Sequence, residues 1–408
     1  MNFDHKPQLK VFRWKGTNRS GKTVTGRTIA YSDFEVRREL KHRQIDRIQL
    51  TTRPISMIER LTQRVKTKDI TIMTRQIATM LATGIPILSV LKLLVANQHK
   101  GEMKSIITQV SAKIEAGIPL SQALAINNDH FDSLYRDLVL IGEQTGKLAD
   151  IFERIASYRE KSDRLKANVI KALIYPCMVV ITALSVCFLM LAFVIPKFES
   201  IYANFGTDLP WLTQQVLNWS SISQNYLGVT LVITISICLL LRSLKNNSVH
   251  FSKLCSKWLL KVPIVGKVYT EAAIARFCRT MATGFSAGLP ILSCLKTSAR
   301  ITGNLYFQQA IEGVQSNTAS GMPMYIAMRQ SEAFPEMVLQ MVMVGEESGT
   351  LSEMLNKIAD MYEASVESSV ETLGKTLEPL IIIFLGITVG GLVVAMYLPI
   401  FNLMNVLG

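Results

Sequence analysis

The chain has 408 residues, which exceeds one ordinary domain, and it carries 44 Lys and Arg against 31 Asp and Glu, for a net charge of +13. Its apolar content of 49% and mean hydropathy of +0.26 are high for a soluble protein and moderate for a polytopic membrane protein, so we expect soluble domains joined to a few membrane spans. A basic excess occurs in nucleic-acid-binding proteins, but the positive-inside rule explains it more simply beside membrane spans, and we expect no nucleic-acid partner.

Residues 1–68 are predicted to form a small, basic α/β module followed by a linker. Two stretches that alternate apolar and polar residues, KVFRWK and TVTGRTIAY, flank NRSGK and predict a β-hairpin. SDFEVRRELKHR predicts a helix with Ser32 at its N-cap, and IDRIQL predicts a returning strand. The polar and basic region 51–68 is predicted to be the linker. The first residues have no apolar signal-peptide core, so we expect the N-terminus to stay in the cytoplasm.

The hairpin contains a nucleotide-binding pattern that we interpret as a coincidence. Residues 16–23, GTNRSGKT, match the P-loop pattern GxxxxGK[ST]. A working P-loop follows a buried strand and opens a helix whose N–H groups hold phosphate. Here the preceding stretch is rich in Lys and Arg, and the following one is β-branched and interrupted by Gly26. We predict a hairpin turn, with an ATP site as the alternative; ATP binding abolished by Lys22→Ala would favour that alternative.

Two nearly identical stretches organise the rest of the chain. Arg75–Lys92, RQIATMLATGIPILSVLK, and Arg279–Lys296, RTMATGFSAGLPILSCLK, lie 204 residues apart. In each, a Gly, an apolar residue and a Pro interrupt an amphipathic helical pattern, which predicts a helix, a tight turn and a second helix with the Pro in its first turn. We interpret these turns as architectural, with a partner-docking surface as the alternative. The turn residues are Gly84 and Pro86 in the first copy and Gly288 and Pro290 in the second.

The duplication extends well beyond these stretches. Residues 117–119, GIP, recur as GMP at the same offset, and GEQTGKL recurs as GEESGTL at an offset shortened by one residue. Pro176 and Pro196 recur as Pro379 and Pro399 at that shorter offset. Helix-period patterns predict about six short helices in each copy. The chain is therefore predicted to contain two homologous helical bundles, at 69–171 and 245–378.

The GE-x-[ST]-G elements place carboxylates between two predicted helices. Their second glycines suit a helix-ending turn, and a carboxylate there is expected to interact with the N-terminus of the next helix. The alternative is a cation site or a contact with a basic partner, although calcium or magnesium would need ligands from elsewhere. The residues concerned are Glu143, Gly146, Glu346, Glu347 and Gly349.

Three apolar segments predict membrane spans. They occupy 172–196, 227–244 and 379–399, and they leave a loop at 197–226 and a tail at 400–408. Lys and Arg cluster before the first span and after the second, so both bundles are expected in the cytoplasm, with the loop and the tail outside. Because both copies cross in the same direction, the second span is needed to return the chain. Gly386 and Gly390 have GxxxG spacing, a close-packing face of membrane helices, with glycine as an ordinary residue of such helices as the alternative. We expect a homo-oligomer, a dimer or tetramer.

The sequence lacks the patterns that catalysis, metal binding or transport would need. Its six cysteines have no CxxC spacing, and its five histidines are scattered with no HExxH. Apart from Arg242 at the basic end of the second predicted span, no charged residue lies inside a predicted span, although proton relays and ion pathways depend on such residues. We predict no catalytic residue, no cofactor and no bound metal, which argues against an enzyme and against a small transporter.

The paired motifs resemble a known family. TRQIATMLATGIPIL with CRTMATGFSAGLPIL, GEQTGKL with GEESGTL, VIPKFESIYANFGTDLPWLTQ, and the IYP and LEP that open two spans are similar to the inner-membrane platform proteins of type IV pilus assembly. These belong to the wider F family of type II secretion. The N-terminal FRWKGTNRSGKTVTGRTIA resembles the leading module of the family, so the likeness covers almost the whole chain.

The resemblance implies a non-enzymatic scaffold in the bacterial inner membrane, an all-α membrane protein with three transmembrane helices and a small N-terminal α/β module. Its implied partners are cytoplasmic pilus extension and retraction ATPases, pilin subunits, other inner-membrane pilus assembly proteins and membrane lipid. FGTDLP fits the pilus subtype better than the secretion subtype. A secretion platform, an ATP-using membrane enzyme and a small transporter are the alternatives.

Overall fold

The computed structural model describes residues 10–30, 33–42, 44–54, 56, 62–127, 129–190, 193, 215 and 265–407. Within them, the expected order of a small strand-containing module and two similar helical bundles is confirmed. The predicted second span, the loop before it apart from residue 215, the first part of the predicted second bundle (245–264) and the N-cap Ser32 lie outside the described residues.

The N-terminal module is an antiparallel three-stranded sheet with one helix against it. The strands pair in the order β2-β1-β3, and the side chains of Phe12 and Trp14 are buried with Val36 and Leu40 of the helix. Gly26 lies opposite Trp14, where a Cβ atom would come within 2.3 Å of the indole ring. The elements are β1 (Lys10–Asn18), β2 (Thr23–Ala30), α1 (Asp33–His42) and β3 (Ile45–Pro54), so β3 continues four residues into the predicted linker.

Among the described residues, the first bundle contains six α-helices, the number expected for each copy. Its helices are α2 (Thr67–Ala82), α3 (Ile87–Asn97), α4 (Gly101–Glu115), α5 (Leu120–Leu124), α6 (Ser133–Thr145) and α7 (Leu148–Leu189), with a 3-10 turn at Ala125–Asn127.

The second bundle repeats this order. Its described helices are α8 (Val265–Ser286), α9 (Ile291–Ile301), α10 (Leu305–Ala319), α11 (Met324–Gln330), α12 (Glu336–Ser348) and α13 (Leu351–Leu407). In the first bundle α2 and α7 run antiparallel, since Thr71 contacts Asp163, and Arg75, one turn later in α2, contacts Glu160 and Glu153, earlier in α7. In the second bundle Arg279 makes the equivalent contacts between α8 and α13.

A single apolar core runs through both bundles, and it has equivalent aromatic centres. In the first, the ring centroids of Phe131 and Tyr135 are 5.1 Å apart. In the second, Phe334, which corresponds to Phe131, lies 5.1 Å from Phe277 and 6.1 Å from Phe307. The duplicated sequence therefore conserves the position of an aromatic anchor but recruits different neighbours around it.

The last helices of the two bundles, α7 and α13, lie side by side in the same direction. Lys161 Nζ is 2.9 Å from Asp360 Oδ1, and Asn168 donates a hydrogen bond of 2.5 Å to Glu367. The contacts on α7 are seven residues apart, the spacing at which side chains return to one face of paired helices. The two bundles are thus joined along their longest helices.

In the part of the chain that the structure describes, α7 and α13 are the two helices long and apolar enough to cross a membrane. Their large apolar side chains are exposed over this stretch, as for Ile181 at 59% and Ile383 at 58%. Pro176 and Pro379 lie within the helices near the start of the apolar runs. The helix α13 continues to residue 407, so residues 400–407 extend the helix where a short tail was expected.

Candidate functional site at the helical turns

Four Gly–apolar–Pro turns share one backbone geometry. The glycines have positive φ angles of +83° at Gly84, +81° at Gly117, +92° at Gly288 and +93° at Gly321. At each, the glycine N–H and the next N–H donate hydrogen bonds back to carbonyls of the preceding helix, which is the Schellman motif. An L-residue is strained at these φ values, so the glycines are required by the turn.

The prolines lie at the N-cap position of the following helices, one residue earlier than the first-turn position expected from the sequence. Pro86 has φ −59° and Pro290 has φ −55°, and their carbonyls accept the first helical hydrogen bonds. The glycine and proline of both turns are exposed. The turns therefore redirect the chain and present their backbone to solvent.

Glu143 and Glu346, which occupy equivalent positions in the two copies, each cap the N-terminus of a helix. The Glu143 carboxylate accepts hydrogen bonds from the backbone N–H groups of Leu120 and Ser121. Glu346 does the same at α11, accepting from Met324 N at 2.9 Å and from Tyr325 N at 3.2 Å. The expected contact with the next helix is thus replaced by one with an earlier helix, whose N-cap proline has no side-chain acceptor.

The capping hydrogen bonds are relevant to the alternative that these carboxylates bind a cation. The carboxylate oxygens of Glu143 and Glu346 face N–H donors, and negative charge at a helix N-terminus is favourable. Glu347 is exposed. Among the described residues, no group of three or more His, Cys, Asp and Glu is arranged to hold a metal ion. The arrangement favours a structural role for these carboxylates.

Two glycines in each GE-x-[ST]-G element serve different needs. Gly146 and Gly349 end their helices with φ angles of +70° and +72°. Gly142 and Gly345 instead permit close packing, since a Cβ at Gly345 would lie 2.9 Å from the Cα of Leu351. Sequence reasoning used the first glycines only to align the two copies, and their packing role depends on a neighbouring helix.

An arginine on the first helix of each bundle ties it to the last, and sequence reasoning did not assign it this role. Arg75 donates to Glu160 Oε1 at 2.7 Å and to Glu153 Oε1 at 2.6 Å. The hydrogen bond from Arg75 lowers the pKa of Glu160, and burial opposes the shift. Both repeated stretches begin with this arginine, which was the available signal.

Arg279 occupies the equivalent position and is held by three side chains of α13. It donates to Asn356 at 2.8 Å, to Asp360 at 2.5 Å and to Glu363 at 2.8 Å. These positions correspond to Glu153, Ser157 and Glu160 of the first bundle. The side chain of Arg279 is only 7% exposed, against 32% for Arg75. The same connection is therefore more deeply buried in the second bundle.

The antiparallel pairing gathers the predicted turn residues at one end of each bundle. Arg75 lies beside Glu160 and Glu153, so the end of α2 and its Gly84 turn lie level with the start of α7. The helix α5 follows the Gly117 turn, and its start is bonded to Glu143 near the end of α6. The Gly117 turn therefore lies at the same end of the bundle. About 38 Å of α7 separates this end from the apolar run that begins at residue 173. The turns thus face away from the apolar segments.

The interface between the bundles is polar at its edges and contains a cavity. Tyr158 Oη lies 3.2 Å from Thr280 Oγ1, and Arg154 donates to Ser286 at 2.8 Å. Burial raises the pKa of Tyr158 to about 12. A cavity of about 380 Å³ lies between α7 and α13, near the apolar segments. Its lining includes Leu165, Val169, Val366 and Val370, with Asn168, Lys171, Ala172, Glu367 and Glu371.

The structure shows the backbone of the segment that matches the P-loop pattern. Residues 16–23 form the turn of an antiparallel hairpin, in which Gly21 N donates to Asn18 O and β2 follows instead of a helix. The phosphate-binding helix N-terminus of a P-loop is therefore missing at this described segment.

Gly386 and Gly390 lie on the exposed surface of α13, and a Cβ atom at either would meet nothing within 4 Å.

Comparison with known proteins gives matches over the whole duplicated region. The family model described as Type II secretion system (T2SS), protein F matches residues 73–196 and again residues 277–399. The chain is 40% identical to the type IV pilus assembly protein TapC of Aeromonas hydrophila, over 98% of this chain and 96% of that protein. It is 37% identical to the type IV pilus assembly protein PilC of Pseudomonas aeruginosa, over 91% and 100%. It is 28% identical to the type II secretion system protein F of Xanthomonas campestris, over 98% and 100%.

Proposed function

Because the chain belongs to the type II secretion system protein F family, we propose that it is a non-enzymatic inner-membrane platform protein of type IV pilus assembly. The observation that carries the proposal is the difference in identity, 40% and 37% to pilus assembly proteins against 28% to a secretion protein, at nearly full coverage in each case. Fold and family alone do not distinguish the two systems, since both share the duplicated bundle.

We further infer that cytoplasmic hexameric ATPases for pilus extension and retraction dock at the turn ends of the bundles. These ends lie farthest from the apolar segments, and the four Schellman turns expose rigid backbone there. Each bundle continues without interruption into a long helix, and α13 alone has 57 residues, about 85 Å of helix. A displacement of the bundle is thereby transmitted to the apolar end of the same helix, where pilin subunits enter or leave the pilus.

The proposal includes three membrane spans, with the N-terminus in the cytoplasm and residues 400–408 in the periplasm. Two spans correspond to the apolar parts of α7 and α13, and the third, at 227–244, lies outside the described residues. The parallel course of α7 and α13 supports this count, because two helices that cross in one direction need a returning span between them. The open surface at Gly386 and Gly390 is where another copy or another inner-membrane assembly protein would pack.

Deletion of the gene in its host, with complementation, tests the proposal. We expect loss of surface pili and of twitching motility, restored by the wild-type gene, with secretion of type II substrates unchanged. A secretion platform is the second candidate, favoured by the description of the matching family model. Normal piliation together with loss of secretion would replace the pilus proposal with that candidate.

A further inference from the structure

Positive charge is concentrated in the N-terminal module. Residues 10–54 contain 12 Lys and Arg against 4 Asp and Glu, a net charge of +8 out of +13 for the chain. Residues 265–378 of the second bundle contain 8 against 12, a net charge of −4. A general basic excess on the cytoplasmic side would charge both regions alike, so the module carries a specific basic surface.

Part of this charge lies on the sheet face opposite α1. The helix α1 covers the face that contains Phe12 and Trp14, and the opposite face presents the exposed side chains of Arg13, Lys15, Arg27 and Arg53. Arg13 and Arg27 are directly opposite each other in the register of β1 and β2. The basic side chains of the two strands are therefore gathered on one face of the sheet.

The module lies at the end of the first bundle that is nearest the apolar segments. Thr71 near the start of α2 donates a hydrogen bond of 2.7 Å to Asp163 of α7, so the start of α2 is level with residues just before the apolar run. The apolar run begins at residue 173, about 15 Å further along α7. The module contacts the same end of the bundle, because a Cβ at Gly101, the first residue of α4, would lie 2.7 Å from Ile29 of β2.

We propose that the basic sheet face of the module binds the anionic headgroups of the cytoplasmic membrane leaflet. The inference rests on the proposed topology, which places the module on the cytoplasmic side. Lys and Arg held within a Debye length of an anionic leaflet are attracted to its phosphates. Each such residue strengthens the attraction about fivefold, so two together contribute about 25-fold. The module then fixes the orientation of the first bundle relative to the membrane surface.

Hydrogen–deuterium exchange of the full-length chain in nanodiscs tests the inference. Nanodiscs of phosphatidylcholine are compared with nanodiscs rich in phosphatidylglycerol, at low and high salt. Exchange in residues 10–54 is expected to be slower in the anionic nanodiscs at low salt, and high salt is expected to abolish the difference. Both faces of a nanodisc are accessible, so the outcome is independent of the orientation in cells and of the proposed pilus function.

The double variant Arg13→Gln with Lys15→Gln is expected to lose the lipid-dependent protection, since the attraction falls about 25-fold. The matched control removes two charges at the opposite end of the bundle, with Lys92→Gln and Lys147→Gln, and should keep the protection. Equal exchange of the wild-type chain in the two kinds of nanodisc would overturn the inference. Protection that appears only after an acidic protein partner is added would overturn it as well, and would assign the surface to that partner.

Discussion

The duplicated arginine connection provides a prediction with an internal control. We consider Arg279→Ala in the second bundle and Arg75→Ala in the first, at equivalent positions of the repeat. Each substitution removes the guanidinium that joins the first helix of a bundle to the last, at Asp360 and Glu363 or at Glu153 and Glu160. Each arginine pairs with two carboxylates, and the second site is more deeply buried and has Asn356 in place of Glu153.

The expected magnitudes follow from exposure. Glu363 is 21% exposed, and its partner Arg279 is 7% exposed, so removing the arginine leaves a largely desolvated carboxylate without its partner. Breaking a fully buried pair costs about 3–5 kcal/mol, and the partial exposure here reduces this to about 2–4 kcal/mol. In the first bundle the carboxylates are 57% and 45% exposed, and two such surface pairs contribute about 1 kcal/mol together.

Hydrogen exchange of the two bundles in the same protein measures the difference. The difference of about 2 kcal/mol predicts that Arg279→Ala raises the opening of α8 and α13 over the wild type by a factor about 30 times larger than the factor by which Arg75→Ala raises the opening of α2 and α7. Arg279→Lys should fall between, because it keeps the charge but not the planar set of donors. Equal effects of the two alanine variants would refute the argument that burial decides the strength of these connections.

Three further predictions concern packing, thiol reactivity and pH. Gly345→Ala should destabilise the second bundle by about 1–3 kcal/mol in thermal unfolding, because its Cβ meets the backbone of α13, whereas Gly313→Ala, in open space within α10, should be neutral or stabilising. Burial raises the pKa of Cys294 to about 12, so its thiol should resist iodoacetamide in the folded protein at pH 8, and rapid alkylation detected by mass spectrometry would contradict this. The lowered pKa of Glu160 contributes stability that is present above its ordinary value of 4.5 and is lost as the pH falls through the folded value. Unfolding measured at neutral and at acid pH should therefore show a smaller pH dependence in Arg75→Gln than in the wild type.

The helical architecture was predictable because Gly and Pro act locally. A glycine at positive φ followed by a helix-starting proline needs no distant neighbour, so GIP and GLP located the ends of α2 and α8 from the sequence. The duplication strengthened each prediction, since the two copies differ in many side chains but keep Gly and Pro at the same positions of the turns.

The side-chain connections were not predictable in the same way. Glu143 caps a helix 22 residues earlier in the chain, and Arg279 reaches side chains 77 to 84 residues away. Which helix supplies the donors depends on how the bundle closes, and helix periodicity carries no information on that. The extension of β3 beyond the predicted strand has a similar origin, because pairing with β1 holds polar residues such as Thr51 and Thr52 in the sheet.

Photo-crosslinking in piliated cells tests the central claim most directly. A photoreactive residue is placed at Thr83 or Glu347, which are exposed at the turn ends of the two bundles, and at Glu371, which is exposed near the apolar end of α13. The account predicts adducts with a pilus ATPase from the first two positions and none from Glu371. Absence of ATPase adducts from both turn ends, or adducts from Glu371 alone, would contradict the claim that the turn ends receive the motor.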